Sequence, residues 1–274
     1  MHSKVQQAAA PERLGDGRGW RRGLYPRQEL ARALIEAKAA GPATSHDRRN
    51  VLSKIQRLVN GEPEAQFGLT GLEGSVRGVM AMMAEETGFD PDPDLLEGAS
   101  SIDPYRVLDS LRAAGRRLAE AASRGESVLL ATGHPAGLLL LYMSVGDLLE
   151  EFGAKLLRPA EGAEWRESGK RRRIRYFHGV AVLTDAGSQL HTHDPFAMQR
   201  MLEEARPDLV FADHGFAGAA IEAGIDTISI ADVNDPAPVV AKRQGRTRIV
   251  IVMDDNVRPE DYWPCFQAIA AEFP

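Results

Sequence analysis

The spacing of apolar positions changes once along the chain, near residue 126. Before that point apolar residues recur at helical intervals; after it, short apolar runs alternate with helical stretches. The first half predicts four helices. One covers 28–40, rich in Ala and Leu and ended by Gly41-Pro42. The second covers 47–60, where Val51, Leu52, Ile55, Leu58 and Val59 share one face and Asn60-Gly61 stop it. A third runs over 71–87 and contains Met80, Met82 and Met83, read as core filler rather than ligands. The alternating Asp-Pro run at 90–94 breaks the chain. A long helix then covers 104–124, opened by Asp103-Pro104 as N-cap and first-turn pair and closed by Gly125.

Beyond residue 126 the strand-like runs are 128–131, 155–157, 179–183, 209–212, 227–230 and 248–253. Helical stretches near 136–151, 195–205, 216–223, 236–243 and 259–271 separate most of them. Repeated strand–helix alternation requires right-handed crossovers and hence a mainly parallel sheet. The expected fold class is therefore α/β: a Rossmann-like, mainly parallel sheet over 126–274 with helices on both faces. A helical region over 26–125 precedes it, and residues 1–25, rich in Gly, Arg, Gln and Ala without sustained period, read as a disordered tail.

Composition narrows the picture mainly by exclusion. A length of 274 residues with 43% hydrophobic and 26% charged positions is ordinary for a globular chain with a sizeable core. The net charge of −6 provides no general basic field, so nucleic acid is not an expected partner. The dense basic run Lys170-Arg171-Arg172-Arg173 reads as a solvated face. A single cysteine, Cys265, excludes an intramolecular disulfide and a cysteine-rich zinc site; in its apolar surroundings it reads as packed. No apolar run reaches the roughly 18–20 residues that span a bilayer, and no signal-peptide core opens the chain. The expectation is a cytoplasmic protein with no membrane partner; a homo-oligomer stays open.

Candidate chemistry lies just after the strands, because open parallel sheets bind ligands outside their carboxyl ends. Five polar segments fall there: Thr132-Gly133-His134-Pro135, His191-Thr192-His193-Asp194-Pro195, Asp213-His214-Gly215, Asp232-Val233-Asn234-Asp235-Pro236 and Asp254-Asp255-Asn256. They hold four of the seven histidines and six aspartates, enough to line one crevice if the strand exits share an edge. Some have structural readings of equal weight. Asp194-Pro195 and Asp235-Pro236 look like helix caps followed by proline at the first helical position, and for both aspartates capping is the expected role. His191 and His193, two apart in an extended loop, would face opposite ways, so both need not touch one ligand. Gly215 and Gly218 would let backbone approach a ligand or the sheet. The run from Thr132 through Gly137 offers N–H groups at a helix start, a setting that favours phosphate, although it matches neither GxGxxG nor the Walker pattern.

Imidazole and carboxylate ligands together suit a divalent ion, which could polarise a phosphoryl oxygen, with a nearby histidine as acid to the leaving group. HExxH, DxDxT and GxSxG are all missing from the sequence, so a covalent serine mechanism has no support. The segments 131–139, 191–193, 212–215 and 231–236 resemble a bacterial family, common in actinobacteria, whose members are labelled phosphatases. The resemblance runs from about residue 28 to the C-terminus. It implies phosphate-ester hydrolysis and marks Ser45-His46-Asp47-Arg48-Arg49-Asn50 as a shared feature, with Arg48 and Arg49 in reach of an anionic substrate. The expected function is a metal-assisted phosphatase acting on a small phosphorylated metabolite. In that reading His191, His193, Asp213 and His214 are catalytic. Thr132, Gly133, His134, Gly137, Arg48 and Asn234 hold the substrate phosphate, and Asp213, Asp232, Asp254 and Asp255 hold Mg, Mn or Zn. The alternatives are a Rossmann-like protein that binds a nucleotide or sugar phosphate without hydrolysing it, and a structural protein whose loops are only caps and turns.

Overall fold

The computed structural model describes residues 24–185 and 187–274, so the tail expected over 1–25 lies, through residue 23, outside the described residues. Five helices precede the sheet: α1 (Arg27–Glu36), α2 (Arg48–Val59), α3 (Pro63–Gln66), α4 (Val76–Thr87) and α5 (Pro104–Arg124). Side-chain caps set three of these starts, from Asp47 to the Asn50 N–H, from Ser75 to the Gly78 N–H and from Asp103 to the Tyr105 N–H. Glycines in the left-handed conformation end α4 and α5 at Gly88 and Gly125. The first helix stops four residues earlier than its composition predicts. Lys38 turns left-handed, and the Ala39 carbonyl then accepts the Asp254 N–H at 2.9 Å. α3 has no counterpart among the helices expected from sequence.

The rest of the chain alternates as expected, with one interruption. In order it forms β1 (Ser127–Thr132), α6 (Pro135–Glu151), β2 (Lys155–Leu156), β3 (Glu164–Glu167), β4 (Lys170–Phe177), β5 (Val180–Thr184), α7 (Phe196–Glu204), β6 (Leu209–Asp213), α8 (His214–Glu222), β7 (Thr227–Ala231), α9 (Pro236–Arg243) and β8 (Ile249–Val252). A 3-10 turn over Pro259–Tyr262 leads into α10 (Trp263–Ala270). The sheet is mixed rather than wholly of the parallel kind. Strands β1, β2, β5, β6, β7 and β8 pair in parallel, whereas β3, β4 and β5 form an antiparallel meander at one side. Its charged sequence hides it. The run Lys170–Arg173 opens β4, and Arg171 and Arg173 pair with Glu164, and Arg172 with Glu167, across the β3–β4 ladder.

The strand order is β3-β4-β5-β1-β6-β7-β8, with β2 beside the start of β1. After β1 and β2 the chain fills one side from the edge inward, through β3 and β4 to β5 beside β1, then crosses over to lay down β6, β7 and β8 on the other side. That reversal is a topological switch point, and it leaves a crevice at the carboxyl ends of β1 and β6. Alternate residues of the central strands face opposite layers. Val128 and Leu130 join one core with α5, α6, α9, α10 and the N-terminal helices, while Leu129 and Ala131 join a second with α7 and α8. Helices thus cover both faces, and only the strand ends stay available for polar chemistry. Met80 and Met83 are buried in the first core, and so is Cys265, whose thiol burial pushes up to about 12.

Candidate active site

The exits of β5, β1, β6, β7 and β8 converge on a cavity of about 360 Å³. His191 comes from the loop after β5, His134 from β1, His214 from β6, Asp232, Asn234 and Asp235 from β7, and Asp255 and Asn256 from β8. One face of α2 and its approach closes the opposite wall with His46, Asn50 and Lys54.

His214 sits at the centre. It is buried and holds a left-handed backbone, φ +47°, in the tight passage from β6 to α8. A residue with a Cβ adopts that conformation at a cost of order 1–3 kcal/mol, so the surroundings must enforce it. Nδ1 of His214 lies 2.7 Å from Oδ1 of Asp213, and Nε2 lies 3.5 Å from Oδ2 of Asp235 and 3.6 Å from Oδ2 of Asp255. Burial works against a charged ring, but the Asp213 hydrogen bond and the Asp235 and Asp255 carboxylates outweigh it and raise His214 to about 9.

The loop carrying His191 and His193 is folded back, which corrects the expectation of opposed side chains. The Thr192 N–H donates to the Gly133 carbonyl at 2.9 Å, and Thr192 Oγ1 accepts the Asp194 N–H. The two Nε2 atoms consequently stand 3.2 Å apart. His191 stacks on His134 at 4.6 Å between ring centroids, and His193 stacks on His214 at 4.8 Å. This approach depends on two glycines. A Cβ on Gly133 would lie 2.4 Å from the Thr192 carbonyl oxygen, and one on Gly215 would lie 2.3 Å from that of His193. Gly215 therefore admits protein backbone and not a ligand, and Gly218 likewise admits the Phe67 carbonyl. Burial, then the neighbouring His214 and His191 rings, lower His193 to about 3; burial first also lowers His191. Both rings are thus neutral at physiological pH. His134 goes the other way: burial is outweighed by Asp255, whose Oδ1 lies 3.2 Å from Nδ1, and its pKa is raised.

The carboxylates divide by what they touch. Asp235 makes no capping bond, contrary to expectation, and faces His214 instead. Asp194 does bond the Phe196 N–H at the start of α7. Burial and the Asp255 charge raise Asp235 to about 6 against the opposing pull of His214. Asp232 is raised well above its ordinary range by burial and by Asp255, Asp254 and Asp235, while His46 Nε2 lies 3.0 Å from its Oδ2. Asp255 would also rise on burial, but the His134 and His214 rings hold it below the usual carboxylate range.

Several residues singled out from the sequence are committed elsewhere. Oδ1 of Asp213 accepts the Gly133 N–H and faces the His214 ring, so this carboxylate orients a histidine. Asp254 accepts from the Ser45 N–H and hydroxyl and from the Asn256 N–H. Arg48 is buried, with its guanidinium on the carbonyls of Leu95, Asp90 and Asp92, and it does not line the cavity. Thr132 and Gly133 also lie behind the cavity wall. The Gly133 N–H is taken by Asp213, the His134 N–H by Thr132 Oγ1 and the Gly137 N–H by the His134 carbonyl. Three of the donors expected to cradle phosphate are thus used within the fold. Asn234 does line the cavity, its amide donating to Asn50 Oδ1 at 2.7 Å. His46, Lys54 and the cavity role of Asp235 were not anticipated. The signal available was the polar pair Asn50–Lys54 at helical spacing on one face of α2, with His46 just before its cap.

Two groups of side chains present donor atoms all within 4.8 Å of one another: His134, His191 and His214; and His214, Asp235 and Asp255. The second group, a mixed imidazole–carboxylate set, fits a divalent transition ion or magnesium, and the all-imidazole first group fits a transition ion. Asp255 Oδ2 is buried without a hydrogen bond, an unpaired acceptor that a cation would satisfy. Among the described residues no helix is long and apolar enough to cross a membrane.

An α/β fold with a histidine–aspartate centre at the switch point of its sheet has the make-up of an enzyme. Residues 25–271 match the family described as Phosphatase. The chain is also 35% identical over 249 residues to Phosphatase SCO2771 of Streptomyces coelicolor, covering 88% of this chain and 93% of that protein. The chain belongs to the Phosphatase family and is an enzyme of the hydrolase class.

Proposed function

We propose that this protein is a metal-assisted phosphatase acting on a small phosphorylated metabolite at the crevice between β1 and β6, on a Rossmann-like doubly wound scaffold. The observation that carries the reading is the position of His214 Nε2, 3.5 and 3.6 Å from the Asp235 and Asp255 carboxylates, with Nδ1 fixed by Asp213. Donor separations of that size suit ligands sharing one ion at bond lengths of about 2.0–2.2 Å. His214, Asp235 and Asp255 would hold a Mg, Mn or Zn ion, and Asp213 would orient the ligating ring in the manner common to metal-bound histidines. The ion, when bound, supplies polarisation of a phosphoryl oxygen and lowers the pKa of water.

The chain's own residues divide the remaining work. His134 lines the cavity and has its pKa raised by Asp255 against the effect of burial, so it is the side chain assigned to donate the proton to the leaving oxygen. His191 and His193 stay neutral and act as hydrogen-bond acceptors, a narrower part than the catalytic one expected for them. They also line a neighbouring cavity of about 590 Å³ with Pro63, Glu64 and Pro195, which gives the leaving group room to extend. Asp232, raised by burial and then by the Asp255, Asp254 and Asp235 charges, is the member of the acidic cluster that most readily takes up a proton.

The test starts with chelated protein. Mg, Mn and Zn are added back singly, and hydrolysis of p-nitrophenyl phosphate and of a panel of phosphorylated metabolites is measured. Turnover that depends on metal and is lost in His214→Ala supports the proposal. Saturable nucleotide binding without turnover under every metal condition overturns it in favour of a non-hydrolytic binder.

A further inference from the structure

Helix α2 carries four basic side chains, and three of them are neutralised where they stand. Arg48 is buried on three backbone carbonyls, Arg49 pairs with Glu97, and Arg57 pairs with Glu62 and Glu64. Lys54 differs. It is half-buried, it lines the cavity, and among the described residues it makes no ion pair. It is also the one lysine or arginine among the cavity-lining residues, facing a wall that contains Asp232, Asp235 and Asp255. Its charge reaches two of the residues around it, His193 and Asp235.

A phosphate dianion meets a difficulty in this cavity. Before a metal binds, the buried Asp235 and Asp255 carboxylates oppose it, and the Gly133, His134 and Gly137 N–H groups are already used inside the fold. Binding gains from a cation on the wall opposite the acids, beside the charge that a bound ion would supply. Helical spacing puts Lys54 there: Asn50 and Lys54 are four residues apart on one face of α2, and His46, just before its cap, lines the same cavity, with His46 held by Asp232 and Asn50 by Asn234. The two polar neighbours are thus tied to the sheet side, and the ammonium group between helix and crevice is left for a ligand.

We propose that Lys54 anchors a non-bridging oxygen of the substrate's phosphoryl group and thereby restricts the site to dianionic phosphate monoesters. This rests on the phosphatase reading and deepens it. A lysine ammonium contributes one point charge with three donors, which rewards a terminal dianionic phosphoryl group more than a singly charged diester.

The probe is inorganic phosphate, measured by calorimetric titration into the metal-loaded full-length protein, with steady-state kinetics on p-nitrophenyl phosphate alongside. Loss of a charge-assisted contact should weaken phosphate binding about 10- to 100-fold in Lys54→Met. KM should rise by a similar factor with a smaller change in kcat, and Lys54→Arg should recover most of the affinity. Arg49→Gln removes an equal charge from the exposed side of the same helix and should leave phosphate affinity within about twofold. Unchanged phosphate affinity in Lys54→Met, or an equal loss in Arg49→Gln, overturns the assignment. So does a wild-type protein that binds no phosphate. A wild-type protein that binds phosphate through Lys54 but hydrolyses nothing supports the anchor while removing the phosphatase reading, so the two claims fail separately.

Discussion

Oδ1 of Asp213 accepts the Gly133 N–H and lies opposite Nδ1 of His214, both at 2.7 Å. One carboxylate thus joins the end of β6 to the end of β1 and fixes the ring whose other nitrogen faces Asp235 and Asp255. Asp213→Asn keeps the shape and an acceptor for Gly133 but removes the charge that polarises the ring. Metal affinity should drop about 10- to 100-fold, the usual effect of removing a carboxylate behind a ligating histidine. Metal content after dialysis and kcat/KM would show it, with circular dichroism unchanged. A variant retaining full metal and full turnover would remove Asp213 from the machinery.

The charge state of His214 sets how the metal-free protein responds to pH. Its folded pKa of about 9 exceeds the ordinary value of 6.5, so the folded chain binds the extra proton between those limits. That stabilisation is fully present below about 6.5 and is lost as pH rises through 9, by about 1.4 kcal/mol per pH unit at most. Asp235, raised to about 6, acts in the same sense lower down: its ionisation above its ordinary value costs stability until about pH 6. Chelated protein should therefore melt at a lower temperature at pH 9 than at pH 6.5, and His214→Gln should flatten that slope. Equal melting temperatures at both pH values in the parent protein would contradict the charged state of the ring.

Gly215 offers a test that removes no functional group. Its added Cβ would sit 2.3 Å from the His193 carbonyl oxygen and 2.5 Å from that of Asp194. Gly215→Ala must push the 191–194 loop away and separate His191 and His193 from the cavity. A loss of about 1–3 kcal/mol in stability is expected from the overpacking, together with a fall in kcat/KM that added metal does not repair. Normal kinetics in a destabilised variant would show that the loop position has no bearing on turnover.

The strand exits were legible because periodicity changes at residue 126 and five of the six apolar runs are followed within three residues by His or Asp. Asp235 was misread for a local reason. An aspartate before a proline at a helix start satisfies every rule for a cap, and only the distance to His214 shows that its carboxylate points elsewhere. His191 and His193 were assigned to opposite sides on the geometry of extended chain, whereas a tertiary hydrogen bond from Thr192 to Gly133 folds the loop. Arg48 drew attention as a cation near an anion site, but burial against three carbonyls makes it a brace for the 90–95 loop. Lys54 stayed invisible because nothing local separates a lysine on a helix facing water from one facing a crevice. The strand β4 was hidden by its charge, which the partner glutamates on β3 neutralise only after the hairpin has formed.

His214 also allows backbone strain to be separated from side-chain chemistry. Both His214→Ala and His214→Gly delete the imidazole, leave Asp213 and Asp235 without their partner, and should abolish metal binding and turnover alike. They differ at the backbone. Alanine keeps the penalty of a Cβ at φ +47°, and glycine does not. The glycine variant should be the more stable of the two by about 1 kcal/mol, or roughly 2–4 °C in melting temperature for a chain of this size. Equal stability would mean that the left-handed conformation is imposed by the histidine contacts themselves and relaxes once the ring is gone. A clear preference for glycine would mean that β6, α8 and the close approach at Gly215 enforce the turn, and that the fold bears this cost to present a histidine between two carboxylates.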